Sequence, residues 1–200
     1  MRMRIAALLL AVLTASATGC GGGDATPVRA SASAPACPAR FAGEWQRLAN
    51  RVGAPVYCPA WLPDPFTPDL HSQWTATDEV SSNGTYLIDF NWYEVQSGTV
   101  HVVLHGYPRR TAIPRCVGDD RRPAPCFDQP TLHKRLGGRA VTVYTRNRAI
   151  DTWHVVYAWR HDGSLYAVSE HVAKPLTYRQ VLQNLDRIVK NLVLVEPKAA

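Results

Sequence analysis

Histidines and carboxylates are the side chains of this 200-residue chain best suited to metal binding or proton transfer. Asp162-Gly163 separates two alternating apolar stretches, 151–161 and 164–172, and this is a strong signature of a two-residue type I′ hairpin turn. The turn sets His154 directly opposite His171. Cross-strand neighbours hold their Cβ atoms about 4.5–5.5 Å apart, close enough for two imidazoles to share a divalent metal ion. A metal centre needs further ligands, and the sequence identifies none beside this pair. No resident cofactor is therefore expected, and two histidines on a half-exposed sheet face are the simpler account.

Three other groupings carry less chemistry. His101 and His105 have the spacing of a helical metal motif, but they lie in a strand. Four residues of strand separate side chains by about 13 Å, too far for one ion. Asp89 and His105 could orient a general base, yet no G-x-S-x-G elbow supplies a nucleophile, so a structural polar pair is expected and no catalytic residue is assigned. Gly137-Gly138 lacks the lysine and spacing of a phosphate loop and reads as a turn.

The elements that must position these residues follow from periodicity. Phe41, Trp45, Leu48, Ala49 and Val52 recur at helical spacing, with Pro38 at the start and Gly53 at the end, predicting an amphipathic helix over 38–52. Prolines 59, 63, 65 and 68 make the next stretch an extended, aromatic-anchored loop. From Tyr86 the period changes to two: Tyr86, Ile88, Phe90 and Trp92 share one face, as do Val100, Val102 and Leu104 after Gly98. The expected register puts Trp92 opposite Val102, Phe90 opposite Leu104 and Asp89 opposite His105. Residues 107–138, rich in Pro, Arg and Gly, read as a long excursion from the sheet, with strand returning at 140–145. In the Asp-Gly hairpin Trp153, Val155, Tyr157 and Trp159 face Val172, Glu170, Val168 and Tyr166. Trp61 and Trp74 are candidates for a ligand groove, whereas alternation assigns Trp92, Trp153 and Trp159 to the core. Thr177 and Gln180 form a capping box before an apolar stripe running from Val181 to Leu192. The expected fold is α+β: an antiparallel sheet with an N-terminal and a C-terminal amphipathic helix packed on it.

Charge and cysteine content narrow the class. The chain carries +6, and the segment 109–148 holds nine arginines and Lys134 against three aspartates. Arg109, Arg110, Arg115, Arg121 and Arg122 form the candidate anion-binding surface, facing lipid headgroups, wall polymers or acidic partners. No nucleic-acid motif is present, and a monomer is expected. Cys37, Cys58, Cys116 and Cys126 make an even set with no C-x-x-C spacing, which favours two disulfides over zinc. Three connectivities are open; local pairing, Cys37 with Cys58 and Cys116 with Cys126, is adopted because each pair flanks a compact Pro-containing segment.

Localisation rests on the first twenty residues. Arg2 and Arg4 precede a short apolar run, 5–13, and small residues leading to Ala17-Thr18-Gly19-Cys20. This is the plan of an export signal, too short to span a bilayer. The closing four residues resemble the lipobox of bacterial lipoproteins, apart from Ala17 where leucine is usual. The resemblance implies cleavage before Cys20 and attachment of lipid to its thiol, placing the protein on the outer face of the cell membrane. Residues 20–36, built of Gly, Ala, Ser and Pro, are expected to be a flexible tether for one domain over 37–200.

The order of segments 56–63, 152–160, 162–163 and 177–192 resembles a largely uncharacterised extracytoplasmic domain of envelope lipoproteins and anti-sigma factors. That likeness implies sensing or binding without chemistry, although the cysteine pairs and the basic excursion are not expected of the family. The leading expectation is a non-enzymatic lipoprotein that binds an envelope component or partner protein. The alternative is a metal-dependent or hydrolytic envelope enzyme.

Overall fold

The computed structural model describes residues 34–64, 80–117, 121–148 and 153–198. The expected export signal, Cys20, most of the expected tether and Trp74 lie outside the described residues. Helix α1 (Ala39–Val52) starts after Pro38 and ends where Gly53 turns left-handed at φ 64°, its N–H donating to the Ala49 carbonyl. Its buried stripe is Phe41, Trp45, Leu48, Ala49 and Val52, the set expected from spacing.

Strands β2 (Tyr86–Glu94), β3 (Gly98–Tyr107), β6 (Phe127–Leu136), β7 (Arg139–Asn147), β8 (His154–His161) and β9 (Ser164–His171) form one antiparallel sheet in the order β2-β3-β9-β8-β7-β6. The β6–β9 meander therefore joins the β2–β3 hairpin through a ladder between β3 and β9, in which Val102 pairs with Glu170 and Leu104 with Val168. A short hairpin of β4 (Arg115–Val117) and β5 (Pro123–Pro125) is inserted between them. Both disulfides form as the local pairs, Cys37–Cys58 and Cys116–Cys126.

The β8–β9 register is the expected one: His154 pairs with His171, Tyr157 with Val168 and Trp159 with Tyr166. Asp162 and Gly163 both take positive φ, 44° and 67°, as a type I′ turn requires. The β2–β3 register differs from expectation by two residues. Trp92 pairs with Val100, Phe90 with Val102 and Asp89 with Val103. The cause is a three-residue turn, Val95–Ser97, closed by Gly98 at φ 75° so that Glu94 already faces Gly98.

The excursion over 107–138 is also shorter than expected, because β6 returns to the sheet as its edge strand. Edge placement accommodates Pro130, where the β6–β7 ladder shifts register, and leaves most of β6 exposed and polar, hiding its strand character from alternation. Val56–Pro59 is a strand, β1, paired with β10 (Leu192–Val195). Leu192 thus opens a strand instead of closing the last helix.

Helix α2 (Tyr178–Lys190) begins with the Thr177–Gln180 capping box. At its other end Arg139 donates to the Val189 and Leu192 carbonyls, both at 2.9 Å, and its guanidinium lies 4.9 Å from the Tyr57 ring centroid. Val181, Leu185, Ile188 and Val189 of α2, with the α1 stripe, share a core with Ile88, Phe90, Val102, Tyr157 and Val168 on one sheet face. The opposite face carries a smaller cluster around Cys126, Phe127, Val156, Ala158, Leu165 and Ala167.

Glu170 is an acid inside the main core, fully buried, accepting a hydrogen bond from Asn184 Nδ2 at 2.8 Å. Burial pushes its pKa up to about 8, partly offset by the Asn184 hydrogen bond. The unfolded chain ionises from near pH 4.5 upward while the folded chain resists, so stability falls as pH rises from there towards 8. Glu170→Gln, which keeps the acceptor for Asn184, should match the parent near pH 4. At pH 7–8 it should be more stable by about 1–3 kcal/mol in urea titrations. Equal pH slopes for the two proteins would refute this account of Glu170.

Candidate metal centre

On the face opposite the main core, three histidines from three adjacent strands converge. His154 and His171 are direct cross-strand partners on β8 and β9. Continuing the β3–β9 ladder by one pair beyond Val102 and Glu170 sets His101 beside His171. Asn91, opposite His101 on β2, completes the row Asn91–His101–His171–His154 across four strands.

The imidazoles are packed closely. His101 Nε2 and His154 Nε2 are 2.7 Å apart, and one donor nitrogen from each of His101, His154 and His171 lies within 4.8 Å of the others. The rings of His154 and His171 stack at 5.2 Å and 4°. His154 is completely buried, His171 is 8 % exposed and His101 is half-buried. Around a tetrahedral zinc ion with Zn–N of 2.0–2.1 Å, ligand nitrogens stand about 3.3 Å apart. The 2.7 Å contact would open slightly and the wider ones would close.

A carbonyl behind the His171 ring orients it as metal ligands are oriented. His171 Nδ1 lies 3.2 Å from the Thr99 carbonyl, which can only accept, so Nδ1 donates there and Nε2 is the ring nitrogen left for a metal. Asp89 Oδ1 lies 3.9 Å from His101 Nδ1, on the far side of that ring from the Nε2 that meets His154. Desolvation pushes the His154 pKa down to about 3, assisted by His101, His171 and His105, so its imidazole is neutral and able to ligate. Burial pushes the Asp89 carboxyl up, while His101 and the Asn91 side chain pull it back. Asp89 Oδ1 and Ser169 Oγ are buried without a hydrogen-bond partner among the described residues. Ser169 precedes His171 by two on β9 and shares its face. Three converging imidazole nitrogens fit a divalent transition metal of the zinc class.

The other sequence candidates separate from this cluster. His105 does not face Asp89: the register shift gives Asp89 to Val103, and the carboxylate approaches His101 instead. His105 Nδ1 lies 3.3 Å from the Tyr107 hydroxyl, and burial lowers its pKa to about 4. Arg109, Arg110, Arg115, Arg121 and Arg122 are all exposed on the β3–β6 connection. Trp159 is buried as expected, but Trp92 and Trp153, at one end of the sheet, are 42 % and 53 % exposed. Trp61 is half-buried under the Arg187 guanidinium at 4.1 Å. His101 was missed as a ligand because its neighbours on β9 lie some seventy residues away in sequence. Its only local signal was its strand position.

No protein-family model matches this chain, and neither a curated protein nor a solved structure does. The reading of the site therefore rests on its own geometry.

Asp89→Asn tests whether the outer carboxylate serves the ligand set. Outer-shell partners of ligating histidines typically contribute 10- to 100-fold in affinity. The variant should fold normally and bind zinc about 10-fold or more weakly in competition with a chromophoric chelator. Unchanged affinity would assign Asp89 a purely structural role.

Proposed function

We propose that this protein is a lipid-anchored extracytoplasmic lipoprotein whose folded body binds one divalent transition metal ion through His101, His154 and His171. The observation that carries the metal reading is the convergence of three imidazole nitrogens within 4.8 Å on a largely buried sheet face. The basic start, short apolar run and Ala17-Thr18-Gly19-Cys20 support the lipoprotein reading. Lipid on Cys20 would place the domain at the outer surface of the cell membrane. There the exposed Arg109, Arg110, Arg115, Arg121 and Arg122 favour an anionic envelope polymer or partner protein.

Binding, not turnover, is the primary role, since the ligands are mostly buried and no nucleophile is assigned. A metal-dependent hydrolase is the second reading. It is favoured by a set of three histidine ligands, which leaves a zinc ion one coordination position for water.

Zinc titrated into the chelator-treated protein should bind at one equivalent and raise thermal stability by about 2.7 kcal/mol at a hundredfold excess over Kd. His101→Ala, His154→Ala and His171→Ala should each abolish that stabilisation, whereas His133→Ala, outside the cluster, should leave it intact. Absence of zinc, cobalt and copper binding in isothermal titration would sink the metal reading. Zinc-dependent hydrolysis of 4-nitrophenyl acetate, lost in His154→Ala, would move the conclusion to the enzymatic alternative.

A further inference from the structure

One residue outward from the histidine row, the same end of the sheet carries an apolar rim. Trp92 pairs with Val100 on β3. The β3–β9 ladder continued outward sets Val100 beside Val172, whose N–H donates to the Trp153 carbonyl at 2.8 Å. Trp92 is 42 % exposed and Trp153 53 %, while Tyr93 near the end of β2 and Val95 of the adjoining turn are 69 % and 86 % exposed.

The rim is held in place. Trp153 stacks on Tyr178, the first residue of α2, at 5.8 Å and 9°. Ser97 Oγ donates to the Lys174 carbonyl at 2.5 Å, tying the β2–β3 turn to the loop before α2. Exposed Lys174 and Arg179 flank these aromatics, with the half-buried acid Glu94 at the end of β2.

We propose that this rim docks on the surface of the bilayer that carries the protein's own lipid anchor, its indole and phenol rings entering the headgroup region. Trp and Tyr favour that interface because each joins an apolar ring to a polar tip. Lys174 and Arg179 match anionic headgroups. The inference rests on the lipoprotein reading, and on the reach of the tether. The fourteen residues 20–33 could span at most about 46 Å, so the anchor does not dictate one facing and surface chemistry selects which face meets the membrane. Docking would set the histidine row one residue above the bilayer surface, separate from the arginine surface on the β3–β6 connection.

The test uses the full lipidated chain in vesicles of phosphatidylcholine and phosphatidylglycerol, with and without bromine near the headgroup end of the acyl chains. Bromine should quench tryptophan emission, and the quenched fraction should fall about twofold or more in Trp92→Ser/Trp153→Ser. Val95→Glu, on an exposed turn, should also reduce quenching while leaving near-ultraviolet circular dichroism unchanged. Absence of quenching, or equal quenching in all three proteins, would overturn the proposal. So would a concentration-dependent dimer abolished by the same substitutions, which would assign the rim to a second copy. Mass spectrometry of the same material distinguishes the two failures: loss of the lipoprotein reading shows as Cys20 without diacylglycerol. In that case a Cys20→Ser chain added to preformed vesicles still tests the rim, and failure of that chain to sediment with them overturns docking.

Discussion

The β3–β9 ladder is the constraint on which the rest of the structure depends. It joins a hairpin made early in the chain to a four-stranded meander made late, and without it neither face of the sheet is continuous. On one face it aligns Val102 and Leu104 with Glu170 and Val168, closing the floor under the two helices. On the other it brings His101 beside a histidine pair that the Asp-Gly turn has already set. Because strand side chains alternate, the same backbone pairing serves the apolar core and the polar cluster at once.

The two faces solve different problems. The main core is apolar and aromatic, with Trp45 donating from Nε1 to the Tyr57 carbonyl at 2.8 Å so that its one polar atom is satisfied. Glu170 is the departure, a buried acid steadied by Asn184 and held mostly protonated. Tyr157 reaches out of the same core to Asp186 at 2.8 Å, and Lys134 joins both, tying β6 and β8 to α2. The opposite face is closed near β4–β5 by the Cys116–Cys126 staple and its apolar neighbours. Towards the other end it holds the histidines. The candidate metal centre therefore lies where one sheet face passes from packed core to the strand ends, next to the exposed aromatics.

Much of the fold was legible because local rules were strong. Helical spacing gave α1, the capping box gave the start of α2, and two residues with positive φ fixed the β8–β9 register. Legibility failed where loop geometry or position in the sheet decided the outcome. Gly98 marks a turn but not its length, so the β2–β3 register moved by two and Asp89 met His101 instead of His105. Alternation places Trp92 and Trp153 on the core side, but it carries no information on how completely each position of that side is covered. β6 was hidden because an edge strand with one solvated side needs no apolar repeat.

For the site, the sequence by itself determined one pair. His154 and His171 oppose each other because a two-residue turn leaves the flanking strands a single register. It also fixed the disulfide-compatible cysteine set and the basic character of the inserted segment. Only the tertiary structure decided that His101 completes the cluster, that Thr99 and Asp89 stand behind the rings, and that Ser169 lies on the same face. The physical reason is that pairing between strands distant in sequence is chosen by burial of the whole sheet. No spacing within either strand encodes which partner it will find.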